Sequence, residues 1–337
     1  MAVPETDTGR HDLVKLPFSG YHSREITEPD ALLTETGPGT PMGEYFRRFW
    51  LPICLSEHLT DLPKAVRTLG EDLVTFRDKS GRIGVLHRHC SHRGTSLEYG
   101  IVSECGIRCC YHGWLSDVDG TILETPGEPP DSKLKDGLFH GAYPAFELHG
   151  MVWAYMGPPE LVPDKPHLDV FEVPAVKFVP FALPYNSNWL NTQENSMDPF
   201  HAVFLHGTDQ QHFENPSIGL APNIKWRITG DGDGMLNMAM RRLDNEWIWA
   251  RINHSVMPLQ SFVPTNIELP KPTYFHPAIY MRQHIPRRRP AFYPVRLARL
   301  WHRPHQGSRP YAEWLEPDGY RWPDRAPIIR GGTAQGR

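Results

Sequence analysis

No apolar run in these 337 residues approaches the roughly 18 residues that a membrane-spanning helix needs. The N-terminal stretch MAVPETDTGRHDLVKL lacks the basic-then-apolar order of a secretory signal, so a cytoplasmic protein with no membrane contact is expected. Cysteine is scarce: Cys54, Cys90, Cys105, Cys109 and Cys110 are the five present, and an odd, irregularly spaced set excludes a disulfide framework. Internal repeats are missing, which excludes a solenoid or propeller array. The most pointed absence is of acid. From Lys271 to Ala312 there is no Asp or Glu, and only Glu313, Glu316, Asp318 and Asp324 follow.

What is abundant is proline (34), glycine (28) and aromatics (11%), a composition of turns and short strands rather than long helices. The length suits two domains, each able to bury its own core. The net charge of −4 hides a basic tail, since residues 271–337 hold 13 Lys and Arg against four acids. A basic stretch can mark nucleic acid or membrane contact. Here no such partner is expected, because a duller cause of the composition is considered below.

Two stretches carry chemistry. Cys90-Ser91-His92 is a C-x-H pair and Cys109-Cys110-Tyr111-His112 a C-x-x-H pair, with sixteen residues between His92 and Cys109. Two thiolates and two imidazoles on neighbouring loops suit a Rieske [2Fe–2S] centre, in which two cysteines bind one iron and two histidines the other. A structural Cys2His2 zinc site is the alternative, but zinc fingers pair Cys with Cys and His with His, whereas both halves here are mixed. The second stretch runs from Asn188 to His206 and holds His201, His206 and Asp198. Non-haem Fe(II) sites use two histidines and a carboxylate. On an ideal α-helix, residues five apart point about 140° away from each other, so convergence of His201 and His206 on one metal requires long reach or a π-turn.

C-x-H-R-G followed by C-x-x-H-G-W, and E-N-x-x-D-x-x-H-x-x-x-x-H after N-W, together resemble the oxygenase (α) subunits of Rieske non-haem iron ring-hydroxylating oxygenases, nearest to the phthalate-dioxygenase-like branch. The resemblance covers the first 270 residues. It implies an α+β chain, with an N-terminal all-β Rieske [2Fe–2S] domain followed by a helix-grip (START-like) antiparallel-sheet catalytic domain. It further implies a [2Fe–2S] cluster on Cys90, His92, Cys109 and His112, and mononuclear Fe(II) on His201 and His206. Asp198 would link an iron histidine to a cluster histidine of a neighbouring subunit, which implies a homotrimer. A reductase or ferredoxin would supply NAD(P)H-derived electrons, with O2 and a small aromatic or related ring substrate as the other reactants. Hydroxylation, dihydroxylation or O-demethylation would follow. The alternative is a catalytically impaired relative, or a Rieske electron-transfer protein lacking a complete mononuclear site.

In chain order, residues 1–40 read as an extended arm and 41–160 as the Rieske domain, ended by the Pro-rich stretch from Gly157. Residues 161–270 read as the catalytic domain and 271–337 as an irregular basic tail. In the family the third iron ligand is a carboxylate far downstream of the histidines, for which Asp324 is the first candidate and Asp318 the next. The tail's 12 Arg and 10 Pro make poor strands and a poor closing helix. Either it is a genuine basic arm or the reading frame is displaced near residue 270, where local and global patterns part.

Overall fold

The computed structural model describes residues 17–18, 28–168, 171–172, 176–206, 216–246, 248–264, 279–286 and 293–301. Those from Leu32 onward lie in one compact unit. The N-terminal half holds ten short strands: β1 Trp50–Leu55, β2 Lys64–Thr68, β3 Glu71–Arg77, β4 Ile83–His87, β5 Ile101–Val102, β6 Ile107–Arg108, β7 Leu115–Ser116, β8 Ile122–Glu124, β9 Ala145–Leu148 and β10 Met151–Tyr155. They form three small antiparallel sheets, β1-β10-β9, β2-β3-β4 and β5-β6-β7-β8. The β3–β4 turn shows why such short strands hold. Asp78 is almost fully buried and its Oδ1 accepts from the Arg82 amide at 2.9 Å and the Ser80 hydroxyl at 2.6 Å. Its Oδ2 accepts from the Gly106 amide at 3.3 Å, which ties this hairpin to the β5–β6 turn.

Seven further strands form the second half: β11 Val176–Ala182, β12 Asn223–Ile228, β13 Gly234–Arg242, β14 Ile248–Val256, β15 Gln260–Pro264, β16 Ile279–Ile285 and β17 Tyr293–Trp301. All pair antiparallel, in the order β11-β17-β16-β15-β14-β13-β12. The expected hairpin at Gly230–Gly234 is present, joining β12 to β13 in a register of Ile228 opposite Met235.

Two of these strands correct the expectation of an irregular tail. β16 and β17 lie beyond residue 270 and stand inside the sheet, between β15 and β11, so the sheet runs on to Trp301. Arginine and proline are dense when averaged over the whole tail, but residues 279–285 contain no Pro and one Arg, and residues 293–301 carry one Pro, at the second position. Gln283, His284 and Ile285 are all buried. Three consecutive buried residues cover both faces at that end of β16, so no polar–apolar alternation marks it there. Asp318 and Asp324 lie outside the described residues.

The two halves share one apolar core. Phe46, Leu51, Ile53, Leu69, Leu73 and Val85 from the first half pack with Trp189, Leu259 and Ile285 from the second, and the Phe46 and Trp189 rings meet edge-on at 4.8 Å. Trp189 opens a helix, Trp189–Asn195, capped by the Asn188 side chain, which accepts from the Leu190 amide at 3.0 Å. The end of the expected N-terminal arm is docked here, because the Trp189 indole donates to the Leu33 carbonyl and the Asn188 amide to that of Thr34, both at 2.9 Å. This helix and the turn after it lie against the large sheet. Among the described residues, no helix is long and apolar enough to cross a membrane.

Candidate metal centres

The two ligand loops at the tip of the N-terminal half repeat one backbone frame. In the first, the Cys90 amide donates to the Thr95 carbonyl at 2.9 Å and the Gly94 amide returns to the Cys90 carbonyl at 2.8 Å. In the second, the Cys109 amide donates to the Trp114 carbonyl at 2.8 Å and the Gly113 amide to the Cys109 carbonyl at 3.1 Å. Both turns close through a left-handed glycine, Gly94 at φ 72° and Gly113 at φ 74°, a conformation that a side chain would strain.

Within this frame the four side chains sort by type. Cys90 and Cys109 are buried with their thiols in contact, while the His92 and His112 rings lie together on the outer side, 4.6 Å between centroids. Thiols paired inside and imidazoles paired outside match a two-iron centre with cysteines on one iron and histidines on the other. A single zinc would draw all four to one point, whereas here the thiols touch each other and the imidazoles each other. Burial pushes the Cys90 thiol up, opposed by the His92 and Arg93 amides that donate to its sulfur; a coordinating cation deprotonates such a thiol outright. Burial and then the facing His112 hold His92 below the usual imidazole range, in the neutral form that ligates. Its Nδ1 is buried with no hydrogen-bond partner, and its ring stacks on Trp114 at 4.7 Å.

The second stretch takes the π-turn, one of the two routes open to the histidine spacing. Ala202–His206 is a π-helix, whose i→i+5 bonding brings residues five apart to one side, and the His201 and His206 ring centroids stand 5.3 Å apart. Asp198 starts this turn. Its Oδ1 accepts from the Phe200 amide at 2.7 Å, and its Oδ2 lies 3.5 Å from His201 Nδ1. With Nδ1 beside that carboxylate, though without a hydrogen bond to it, Nε2 is the nitrogen left to ligate a metal. Asp198 is half exposed and lines a cleft of about 420 Å³ with Gln193, Glu194, Met197, Trp226 and Met235.

A family model described as the Rieske [2Fe-2S] domain matches residues 49–144. The tert-butanol monooxygenase / tert-amyl alcohol desaturase oxygenase subunit of Aquincola tertiaricarbonis is 49% identical over 255 residues, covering 72% of this chain and 54% of that protein. Phenoxybenzoate dioxygenase subunit alpha of Ectopseudomonas oleovorans is 44% identical over 254 residues, covering 70% of this chain and 61% of that protein. The chain belongs to the Rieske oxygenase family. It spans a little over half the length of these curated relatives. Dicamba monooxygenase bound to 3,6-dichlorosalicylic acid has a crystal structure that aligns with 75% of this chain and 78% of its own, at a TM-score of 0.61 and 18% identity; the two share a fold.

Two residues of this Rieske oxygenase chain went unnoticed in the sequence. His89 precedes Cys90, and its Nδ1–H donates to the Gly94 carbonyl at 3.0 Å. Arg108 precedes Cys109, and it donates to the Gly113 carbonyl at 2.7 Å while pairing with Glu124. Each loop is thus tied at its glycine by the side chain just before its cysteine. The signal was available, since a donor side chain stands before Cys and a glycine four residues after it in both loops.

Proposed function

We propose that the chain is the terminal oxygenase component of a multicomponent Rieske oxygenase, using O2 and NAD(P)H-derived electrons to hydroxylate, dihydroxylate or O-demethylate a small aromatic or related ring substrate. The observation that carries this reading is the π-turn pair His201 and His206 with Asp198 behind His201. A chain that only ferried electrons through its cluster would have no use for that constellation.

In this reading Cys90 and Cys109 hold one iron of the cluster, His92 and His112 the other, and His201 and His206 hold mononuclear Fe(II). When bound, these centres supply one-electron storage and O2 activation. The protein's own part is positional. Asp198 places its carboxylate 3.5 Å from His201 Nδ1, an electrostatic contact without a hydrogen bond, and its exposed edge can accept an imidazole from another molecule. Asp324, with Asp318 next, is the proposed third ligand. Translating the gene in all frames past codon 270 decides between a basic tail and a displaced frame.

A cyclic homotrimer belongs to the same proposal. Large apolar side chains are exposed at two places, Tyr99, Ile101, Tyr111 and Phe139 around the cluster loops, and Phe200, Phe204, Leu205 and Trp226 around Asp198. Covering one set with the other between successive copies is a heterologous contact, which gives a closed trimer when successive copies are related by a threefold rotation. The electron donor is a reductase or ferredoxin. The relatives named above bracket the substrate screen, from a compact tertiary alcohol to phenoxybenzoate.

A second reading, a cluster-bearing relative without a complete mononuclear site, draws on the lack of a three-ligand set among the described residues. Iron and acid-labile sulfide in anaerobically purified protein separate the two. About three irons per chain, the low-g EPR signal of a mixed Cys/His cluster, and substrate-dependent O2 uptake with a surrogate reductase support the oxygenase. About two irons and no uptake across the screen support the second reading; zinc without sulfide removes both.

A further inference from the structure

Asp198 sits in a turn whose backbone is gripped from the sheet side. The Asn253 side-chain amide donates to the Ser196 carbonyl at 3.0 Å. The Asn237 amide donates to the Met197 carbonyl at 3.1 Å, a carbonyl that also accepts from the Trp226 indole at 3.4 Å. The Arg241 guanidinium donates to the Pro199 carbonyl at 3.3 Å. Three carbonyls that bracket Asp198 are therefore each held by a side chain of β13 or β14. Asn237 and Asn253 stand directly opposite in the strand register, and Asn237, Ala239 and Arg241 are the buried alternate positions of β13.

These are costly residues for stability alone. Asn237 and Arg241 are at most 1% exposed and Asn253 6%. Each leaves a buried atom with no hydrogen-bond partner, namely Oδ1 of Asn237, Oδ1 of Asn253 and one terminal nitrogen of Arg241. No salt bridge offsets the Arg241 charge among the described residues; its other support is the Trp249 ring at 5.2 Å and the Leu220 carbonyl at 3.0 Å. An apolar inner face would avoid these unsatisfied groups. A half-satisfied polar set is retained where geometry matters more than stability.

We propose that Asn237, Asn253 and Arg241 are positioning residues, a clamp on the carbonyls of residues 196, 197 and 199 that fixes Asp198 and, through it, His201. The inference rests on the reading of Asp198 as the link between the two metal centres. The helix's last carbonyls are taken by the amides of Ser196, Met197 and Asp198, and the next carbonyls along are taken by rigid sheet donors, so the segment between the helix and the π-turn cannot drift along the sheet.

The test uses full-length protein carrying its cluster, with Asn237→Leu and Asn253→Leu made singly and Asp198→Asn measured alongside. The first readout needs no turnover: hydrogen–deuterium exchange of the peptide spanning residues 193–206, in protein to which no ferrous iron has been added. Exchange there rises about tenfold in each Leu variant while β13 and β14 keep their protection. The second is the decay of reduced-cluster absorbance on adding O2 and substrate. It slows between tenfold and a hundredfold, the scale of an ångström-sized misplacement, with KM and the cluster EPR signal unchanged. If Asp198→Asn decays at the wild-type rate, the linking role itself is wrong. If Asp198→Asn is slow but the Leu variants lose only melting temperature, the side chains are stabilisers and the clamp is refuted. Should Asn237→Leu fail to fold, shown by a missing Rieske signal, Asn253→Leu alone decides.

Discussion

Asp198 does two jobs that a pair of substitutions separates. Its Oδ1 caps the turn by accepting from the Phe200 amide at 2.7 Å, and its Oδ2 faces His201 Nδ1 at 3.5 Å. Asparagine is as good a cap as aspartate, whereas alanine loses about 1 kcal/mol. In a chain of this size 1 kcal/mol corresponds to a melting shift of about 2 °C. Asp198→Asn should therefore melt with the wild type and Asp198→Ala about 2 °C lower. The contact to His201 is lost in both. At 3.5 Å, half exposed and without a hydrogen bond, this contact contributes about 0.5 kcal/mol, roughly a twofold rate effect. Any loss of coupling to a neighbouring cluster comes on top. Rapid-mixing measurement of reduced-cluster decay, with iron content determined on the same samples, should show both variants slowed by at least that factor. Two outcomes would refute the reasoning: an Asn variant that turns over normally, or one as thermally weakened as the Ala variant.

Three further outcomes are expected. His112→Cys should keep a cluster and lower its potential by on the order of 100 mV, about half of the roughly 250 mV separating mixed and all-cysteine ligation; redox titration followed by EPR reads it, and an unchanged potential removes His112 from the ligand set. Arg108→Met releases the Gly113 carbonyl and Glu124, so cluster loss in a chelator should accelerate about tenfold while the melting of the large sheet stays put. His140 is buried, and burial lowers its pKa against the opposing hydrogen bond to the His87 carbonyl. Below about pH 6.5 the unfolded imidazole takes a proton that the folded one resists, so stability is lost as pH falls through that value. Urea midpoints at pH 7.5 and 5.5 should differ less in His140→Gln than in the wild type.

The parts legible in the sequence were those written in consecutive residues. The β3–β4 hairpin follows from Asp78 to Gly81, the cluster loops from their Cys, His and Gly spacing, and the π-turn was one of two routes open to histidines five apart, long side-chain reach being the other. The carbonyl grip on Asp198 was not legible. Asn237, Asn253 and Arg241 lie some forty or more positions downstream of the carbonyls they hold, and only the β13–β14 register brings them to one face. The strands β16 and β17 were hidden for the opposite reason, because composition averaged over a long tail masked two short segments that pair well. Backbone pairing is indifferent to much of the side-chain chemistry that composition counts.

The shared core sets a limit on modularity. The Pro-rich stretch after Gly157 looks like the natural place to exchange one half of the chain for another. Yet Trp189, Leu259 and Ile285 are packed among the side chains of the first half, and the Leu69 amide is bonded to the Pro286 carbonyl at 3.0 Å. A chimera cut at residue 160 would separate these residues from the surfaces they fill, exposing a large apolar face on each parent fragment. The workable unit of exchange is the N-terminal half together with the complementary positions at 189, 259 and 285, so a half borrowed into this chain must arrive with its matching socket.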